Sequence, residues 1–288
     1  MTSVAATQSG PAHVPASGQV LLLAPLTLFL AVIFFAPLAK LFQMSLQGAA
    51  GPLSAYAEIA ASEVYRRVFL GTLQLSFTVA LVTVLLSYPT AYMLSCLKGW
   101  RLGIAFWCLL FPLWISVLVR TFSWILLLEQ NGPVNRLLQA GGLTSSPLPL
   151  LFNTVGVHIG MVHVLLPYAL LPIYTSMKAV DGRLLLASDA LGASPLTTFR
   201  RIYLSLTLPG VLTGFILVFL LGLGFYITPA LLGGIRNMTV SMLIDLFVTE
   251  QLVWPLAAAA CFWLLACIVA LLALASRFVN VAGTMAAR

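Results

Sequence analysis

The chain has 288 residues, 61% of them hydrophobic and only 7% charged, with a mean hydropathy of +1.07. Soluble domains are about a quarter charged, so a water-soluble globule is excluded, and the apolar residues in excess of a single core require lipid. Fourteen Lys and Arg against seven Asp and Glu give +7, but the basic residues stand singly between apolar runs, which fits orientation in a bilayer better than a nucleic-acid surface.

A crossing needs about 20 apolar residues to cover the hydrocarbon core. Six stretches qualify, at approximately 20–44, 68–96, 102–128, 152–176, 208–233 and 253–276. The predicted fold class is therefore all-α, a polytopic membrane protein with six transmembrane helices. Residues 1–19 are rich in Ala, Ser, Thr, Gly and Pro without a basic stretch, and the apolar run after them exceeds that of a secretory signal. They read as a disordered cytoplasmic tail before a retained first helix. Residues 20–277 read as one transmembrane domain and 278–288 as a second cytoplasmic tail.

The third span carries Arg120, eight residues from its outer end and so about 12 Å deep at 1.5 Å per residue. Buried arginine is costly unless paired or watered. Arg120 either lines the passage, pairs with a carboxylate near Glu129 or Asp245, or snorkels to the outer headgroups. In the fourth span His158 and His163 are five apart, off one helix face, and each is expected to hydrogen-bond within the bundle. Tyr226, Thr228 and Pro229, among Gly222, Gly224, Gly233 and Gly234, interrupt the fifth span. Such a break either lines a cavity or is a packing kink.

From Arg236 to Trp254 the chain mixes Asp245, Thr249 and Glu250 with Met238, Met242, Leu243 and Phe247, the pattern of a re-entrant or gating segment on the outer side. Carboxylates and aromatic faces hold amines, so Glu129, Asp245 and Glu250 with Trp124 and Tyr226 are candidate substrate contacts, unless the two glutamates are plain loop acids. Cys96, Cys108, Cys261 and Cys267 fall in apolar runs without ligand spacing and read as reduced small hydrophobes.

The segment from Lys178 to Thr207 has structure of its own. Leu184, Leu185, Ala187, Ser188 and Leu191 lie at helical spacing and end at Gly192, which can take a left-handed cap. Ser194 and Pro195 then read as N-cap and first position of a second helix through Phe199, Arg200, Arg201 and Ile202. The result is an elbow offered to a soluble partner.

The elbow run LLLASDALGASPLTTFRRIYLSLTLPG, residues 184–210, resembles the cytoplasmic EAA loop of permease subunits of binding-protein-dependent ABC importers, roughly EAAxxLGASxxxxFxxVxLPLxxPG. The match covers Leu191, Gly192, Ala193, Ser194, Phe199, Ile202, Leu204, Pro209 and Gly210. PLWISVLVRTFSW, GPVN, LLPYALLPIYTSMKAVD and GFYITPALLGG extend it toward the spermidine/putrescine branch, particularly its first permease subunit. Two departures stand out. Leu186 replaces the glutamate that opens the motif, followed by Ala187 and Ser188, and Leu204–Ser205 replaces the first Leu-Pro. Asp189, one helical turn along, either supplies the missing acid or is a solvated surface residue.

The resemblance implies a type I importer permease fold. It implies coupling to an ATPase through Leu186, Asp189, Leu191, Gly192, Ala193, Ser194, Pro195, Phe199 and Arg200, and a substrate pathway along Arg120, Trp124, Glu129, Tyr226 and Asp245. It also implies a homologous second permease, a cytoplasmic ATPase dimer that holds ATP and Mg, and a soluble substrate-binding protein outside. This chain would bind no cofactor or metal of its own. Polyamine is the implied substrate; an amino-acid derivative, a phosphonate or ferric ion is the alternative, and Arg120 in the passage would favour an anion. A membrane scaffold that docks without transporting is a further alternative. No GxxxxGK[ST], GxSxG or HExxH occurs, so the ATPase must be another chain.

Lys98, Arg101, Lys178, Arg183, Arg200, Arg201, Arg277 and Arg288 fall on one side and Lys40, Arg66, Arg67, Arg136 and Arg236 on the other. This eight-to-five bias places both termini in the cytoplasm. A reporter active only outside the cytoplasm should be silent when fused after residue 288 and active when inserted near Gly132; the reverse pattern would discard this orientation and with it a cytoplasmic elbow.

Overall fold

The computed structural model describes residues 16–234 and 237–286. Within them the chain forms thirteen α-helices, a 3-10 turn and a π turn. The proposed tail at 1–15, Arg236 and Arg288 lie outside the described residues. Helix α1, Ala16–Ser45, begins before the expected residue 20, and the last helix, α13, Trp254–Ala286, continues past the expected boundary at 277. Five helices are long and apolar enough to cross a membrane, six if one bent pair is a single span.

That bent pair corrects the expected third span. Helix α4, Gly99–Leu110, runs into the 3-10 turn Phe111–Trp114. The chain then turns by 100° into α5, Val117–Leu128. Pro112 has no N–H to continue the ladder, and Ile115 takes an extended conformation at ψ 137°, so an apolar run of sufficient length is not one straight helix.

The centre is formed by α3, Glu63–Cys96; α7, Thr154–Lys178; and α10, Leu204–Leu223. Val79, Ala80, Met161, Leu165, Ala169, Leu170, Ile173 and Val218 fill the space between them. Small residues set the spacing. A Cβ on Gly214 would lie 2.9 Å from the Ala169 carbonyl oxygen, and one on Gly210 would lie 2.6 Å from the Pro172 carbonyl oxygen. In lipid the hydrophobic effect does not draw helices together, so such close backbone approach supplies the packing energy.

A second apolar cluster joins α2, Ser54–Ala61, to α12, Val240–Thr249, and the start of α13, around Ile59, Leu243, Phe247 and Leu256. Helix α12 is thus a short packed helix, with Thr72 of α3 accepting the Val240 N–H at 2.9 Å. Helix α1 lies at the periphery, where Phe42 meets Phe262 of α13 edge to face at 5.2 Å.

Gly214→Ala should cost about 1–3 kcal/mol by overpacking against backbone that cannot rotate aside. A Cβ at Gly103, also helical, would meet nothing within 4 Å, and Ala there should hold or raise stability. Thermal unfolding in detergent that gave the two variants equal midpoints would contradict the close approach of α7 and α10.

Candidate functional site

The elbow forms as its local chemistry dictates. Helix α8, Gly182–Ala190, is capped by the Asp181 carboxylate, which accepts the Arg183 N–H at 2.9 Å. It ends in Gly192 at φ +78°. The Gly192 N–H reaches the Asp189 carbonyl at 2.9 Å and the Ala193 N–H the Ser188 carbonyl at 3.2 Å, the paired bonds of a Schellman cap. Ser194 then caps α9, Pro195–Thr198, by accepting the Thr197 N–H at 3.3 Å, with Pro195 at the first helical position. Between the arms the hydroxyls of Ser188 and Thr198, both buried, meet at 2.8 Å.

The outer surface of the elbow is apolar. Leu186 is 69% exposed, Leu191 87% and Leu196 65%, and Asp189 and Arg200 are exposed beside them. Exposed leucines grouped on a turn of this kind mark an interface.

Phe199 behaves differently. It opens the π turn Phe199–Tyr203 that leads into α10. Its ring stacks on Tyr203 at 6.1 Å and lies edge to face with Tyr88 of α3 at 6.2 Å. Tyr88 Oη lies 3.1 Å from Thr207 Oγ1, and Tyr203 packs on Tyr92 at 5.8 Å. Phe199 therefore ties the elbow to α3.

The candidate substrate contacts divide into three. Tyr226, at the break between α10 and α11 (Ile227–Leu232), donates its hydroxyl to Asp245 Oδ2 of α12 at 2.8 Å. Two residues nineteen apart are thus one unit. Trp124 is engaged elsewhere, donating its indole N–H to His163 Nδ1 at 3.1 Å, while His158 bonds Thr78 and the Thr154 carbonyl. Glu129 is exposed beyond the end of α5, as is Glu250 beyond α12.

Arg120 does not pair with a carboxylate. It is 7% exposed, and its Nε and Nη1 are buried with no hydrogen-bond partner. Asp245 is bonded by Tyr226 instead, and the one ion pair among the described residues is Arg67 with Glu63. The four cysteines are free.

Several structural roles were not read from the sequence. Ser188 occupies the motif's second alanine, a departure that could have prompted a search for a hydroxyl partner. Asn135, within GPVN and in α6 (Pro133–Ala140), is fully buried. Its amide donates to the Glu129 and Leu148 carbonyls at 3.2 and 3.0 Å, and its oxygen accepts the Leu148 N–H at 2.9 Å. The Tyr88–Thr207 contact joins residues 119 apart, beyond the reach of local spacing.

No family model matches the chain. It is 33% identical over 196 residues to the spermidine/putrescine transport system permease protein PotB of Escherichia coli, covering 68% of this chain and 71% of that one. Among solved structures it is similar to a bacterial ABC transporter involved in import of the acidic polysaccharide alginate. The TM-score is 0.70 at 16% identity, over 91% of this chain and 94% of the other. A bacterial alginate ABC transporter in complex with alginate pentasaccharide-bound periplasmic protein gives a TM-score of 0.68 at 18% identity, over 93% of each chain.

Gly192→Val should open the elbow, since a β-branched residue is strained at positive φ, whereas Asn tolerates it. Limited proteolysis of the membrane-inserted protein should cut within 182–198 faster in the Val variant than in wild type or Gly192→Asn. Equal rates for all three would show that the cap is not needed.

Proposed function

The chain belongs to the permease subunits of ABC importers, in the spermidine/putrescine branch, and from that membership we propose that it forms part of a polyamine translocation pathway. The observation that carries the proposal is the 33% identity to PotB over 68% of the chain. The reading pairs this permease with a homologous second one, a cytoplasmic ATPase dimer binding ATP and Mg, and an external substrate-binding protein. Both termini are taken as cytoplasmic. No cofactor is assigned to this chain.

Coupling runs through the elbow. Closure of the ATPase dimer on ATP draws the elbows together, and differential contacts in the two states shift the bundle outward to receive substrate. Leu186, Leu191 and Leu196 supply an apolar docking surface with Asp189 and Arg200 at its margin. Gly192, Ala193, Ser194 and Pro195 hold its shape. Phe199, through Tyr88 and Tyr203, carries displacement into α3 and α10. Leu186 in place of the glutamate makes this contact apolar.

On the outer side Asp245 is the favoured cation contact, with Tyr226 holding its carboxylate in place; Trp124 and Glu129 remain weaker members. The burial of Arg120 supports a cationic substrate, because the guanidinium that would favour phosphonate or another anion is enclosed by the chain's own helices.

Complex reconstituted in proteoliposomes should take up spermidine when ATP and the binding protein are present. Asp245→Asn keeps the shape and can still accept the Tyr226 hydroxyl, but loses the charge. A charge-assisted bond contributes about 1.5–3 kcal/mol, so uptake at limiting substrate should fall roughly ten- to a hundredfold. Uptake by the variant within about twofold of wild type would remove Asp245 from the pathway, and wild-type uptake of a different solute in place of spermidine would overturn the polyamine reading.

A further inference from the structure

A groove of ≈ 650 Å³ runs along the first half of α3 and the first turns of α7, with Asn237 and Met238 also lining it. Its size lies within the range of small-molecule sites, about 300–1,000 Å³. Helix α3 presents Arg67, Gly71, Gln74 and Thr78 to it, and α7 presents Thr154 and His158, each set spaced by three or four residues on one helix face.

The polar groups are linked to one another. His158 Nδ1 donates to the Thr154 carbonyl at 2.7 Å, which leaves Nε2 of the neutral ring to accept from Thr78 Oγ1, also at 2.7 Å. Thr154 Oγ1 donates to Asn237 Oδ1 at 2.8 Å, and Asn237 Nδ2 is held by the Gly233 carbonyl at 2.7 Å. Gln74 is exposed along this wall, and a Cβ at Gly71 would meet nothing within 4 Å. The wall is mixed, with Val64, Val68, Leu75 and Met238 beside these polar groups, and an exposed amide such as Gln74 within the length of a span is unfavourable against hydrocarbon, so it faces water or another protein. Among the described residues that line it the formal charge is Arg67, which is bridged to Glu63 at the exposed start of α3.

We propose that this groove is this chain's contribution to the translocation path, and that it carries an alkylammonium substrate by solvating its amines with neutral oxygens. The assignment rests on the polyamine reading and deepens it. Gln74 and Asn237 offer amide oxygens and Thr78 a hydroxyl oxygen, while Arg67, the cation among the described lining residues, is bridged to Glu63. Neutral ligands suit a conduit, which must bind strongly enough to admit the substrate and weakly enough to release it. Gly71 keeps the wall low for the methylene stem.

The test uses the full complex with the second permease, ATPase and binding protein in proteoliposomes, with radiolabelled spermidine. Gln74→Lys sets an ammonium in the groove and should lower uptake at least about tenfold, an increase of some 1.4 kcal/mol in the barrier, while Gln74→Glu should retain it. Gly71→Trp, whose side chain enters open space, should block uptake with the complex still co-purifying. Gln74→Cys, in a background where Cys96, Cys108, Cys261 and Cys267 are Ser, should react with a cationic water-soluble thiol reagent and be protected by spermidine.

Two outcomes would overturn the groove alone. One is spermidine uptake by Gln74→Lys and Gly71→Trp within about twofold of wild type. The other is a cysteine at position 74 that reacts only with lipid-soluble reagents. In either case wild-type spermidine uptake leaves the polyamine reading intact. Wild-type complex that moves another solute but no spermidine would overturn both.

Discussion

Backbone contact between α7 and α10 at Gly210 and Gly214 is the constraint on which the remaining architecture depends. Side chains at either position would meet carbonyl oxygens of the facing helix, and Ser176 Oγ lies 3.4 Å from the Leu206 and Thr207 carbonyls. The C-terminal end of α7 and the N-terminal end of α10 are consequently held side by side. The elbow joins those two ends, so its geometry is determined at both attachment points as well as by its own caps. A π turn, one residue wider than the α ladder, connects its second arm to α10 and turns Phe199 and Tyr203 toward α3. Packed rings and hydrogen bonds thus connect the elbow and its second arm to the central helices.

Where the spans break, they break against each other. Helix α5 follows the bend after α4, and α11 follows the break after α10. The two short helices meet with Thr121 and Thr228 hydroxyls 3.3 Å apart in a buried setting. Gly160 of α7 lets α11 approach, since a Cβ there would lie 2.6 Å from Leu232 and Thr228 side-chain atoms. Interrupted helices free backbone groups that hydrocarbon cannot satisfy, so they are tolerated where protein covers them. Polar features concentrate toward this same end of the bundle, away from the elbow: the Tyr226–Asp245 pair, the His163–Trp124 pair, and the groove lined by Asn237.

The charges follow a corresponding division. Arg120, the one basic residue deep in a span, is enclosed, while Asp245 is partly exposed and held by a phenol. For a cationic solute that order is favourable in contact terms, because the carboxylate is within reach while the guanidinium is covered by the chain's own side chains. An exposed Arg120 with a buried Asp245 would have favoured the anionic alternative.

The sequence by itself determined the helical class, the approximate apolar runs, the capped elbow and the break at Tyr226. Each depends on local chemistry or on hydropathy summed over a turn or more: Gly192 needs positive φ, Ser194–Pro195 starts a helix, and Gly224 precedes a stop. It did not reveal the 100° bend after Trp114, because hydropathy measures how much of a segment prefers lipid and is blind to its direction. Nor did it decide which distant residues meet. Tyr226 with Asp245, Ser188 with Thr198 and Phe199 with Tyr88 depend on how helices rotate about their axes when packed, and that rotation is set by small-residue contacts such as Gly214 against Ala169. Arg120 illustrates the limit: the depth counted along a straight span does not survive the bend after Trp114, and whether its guanidinium faced a passage, a carboxylate or the interior was decided only by the tertiary fold, which buried it.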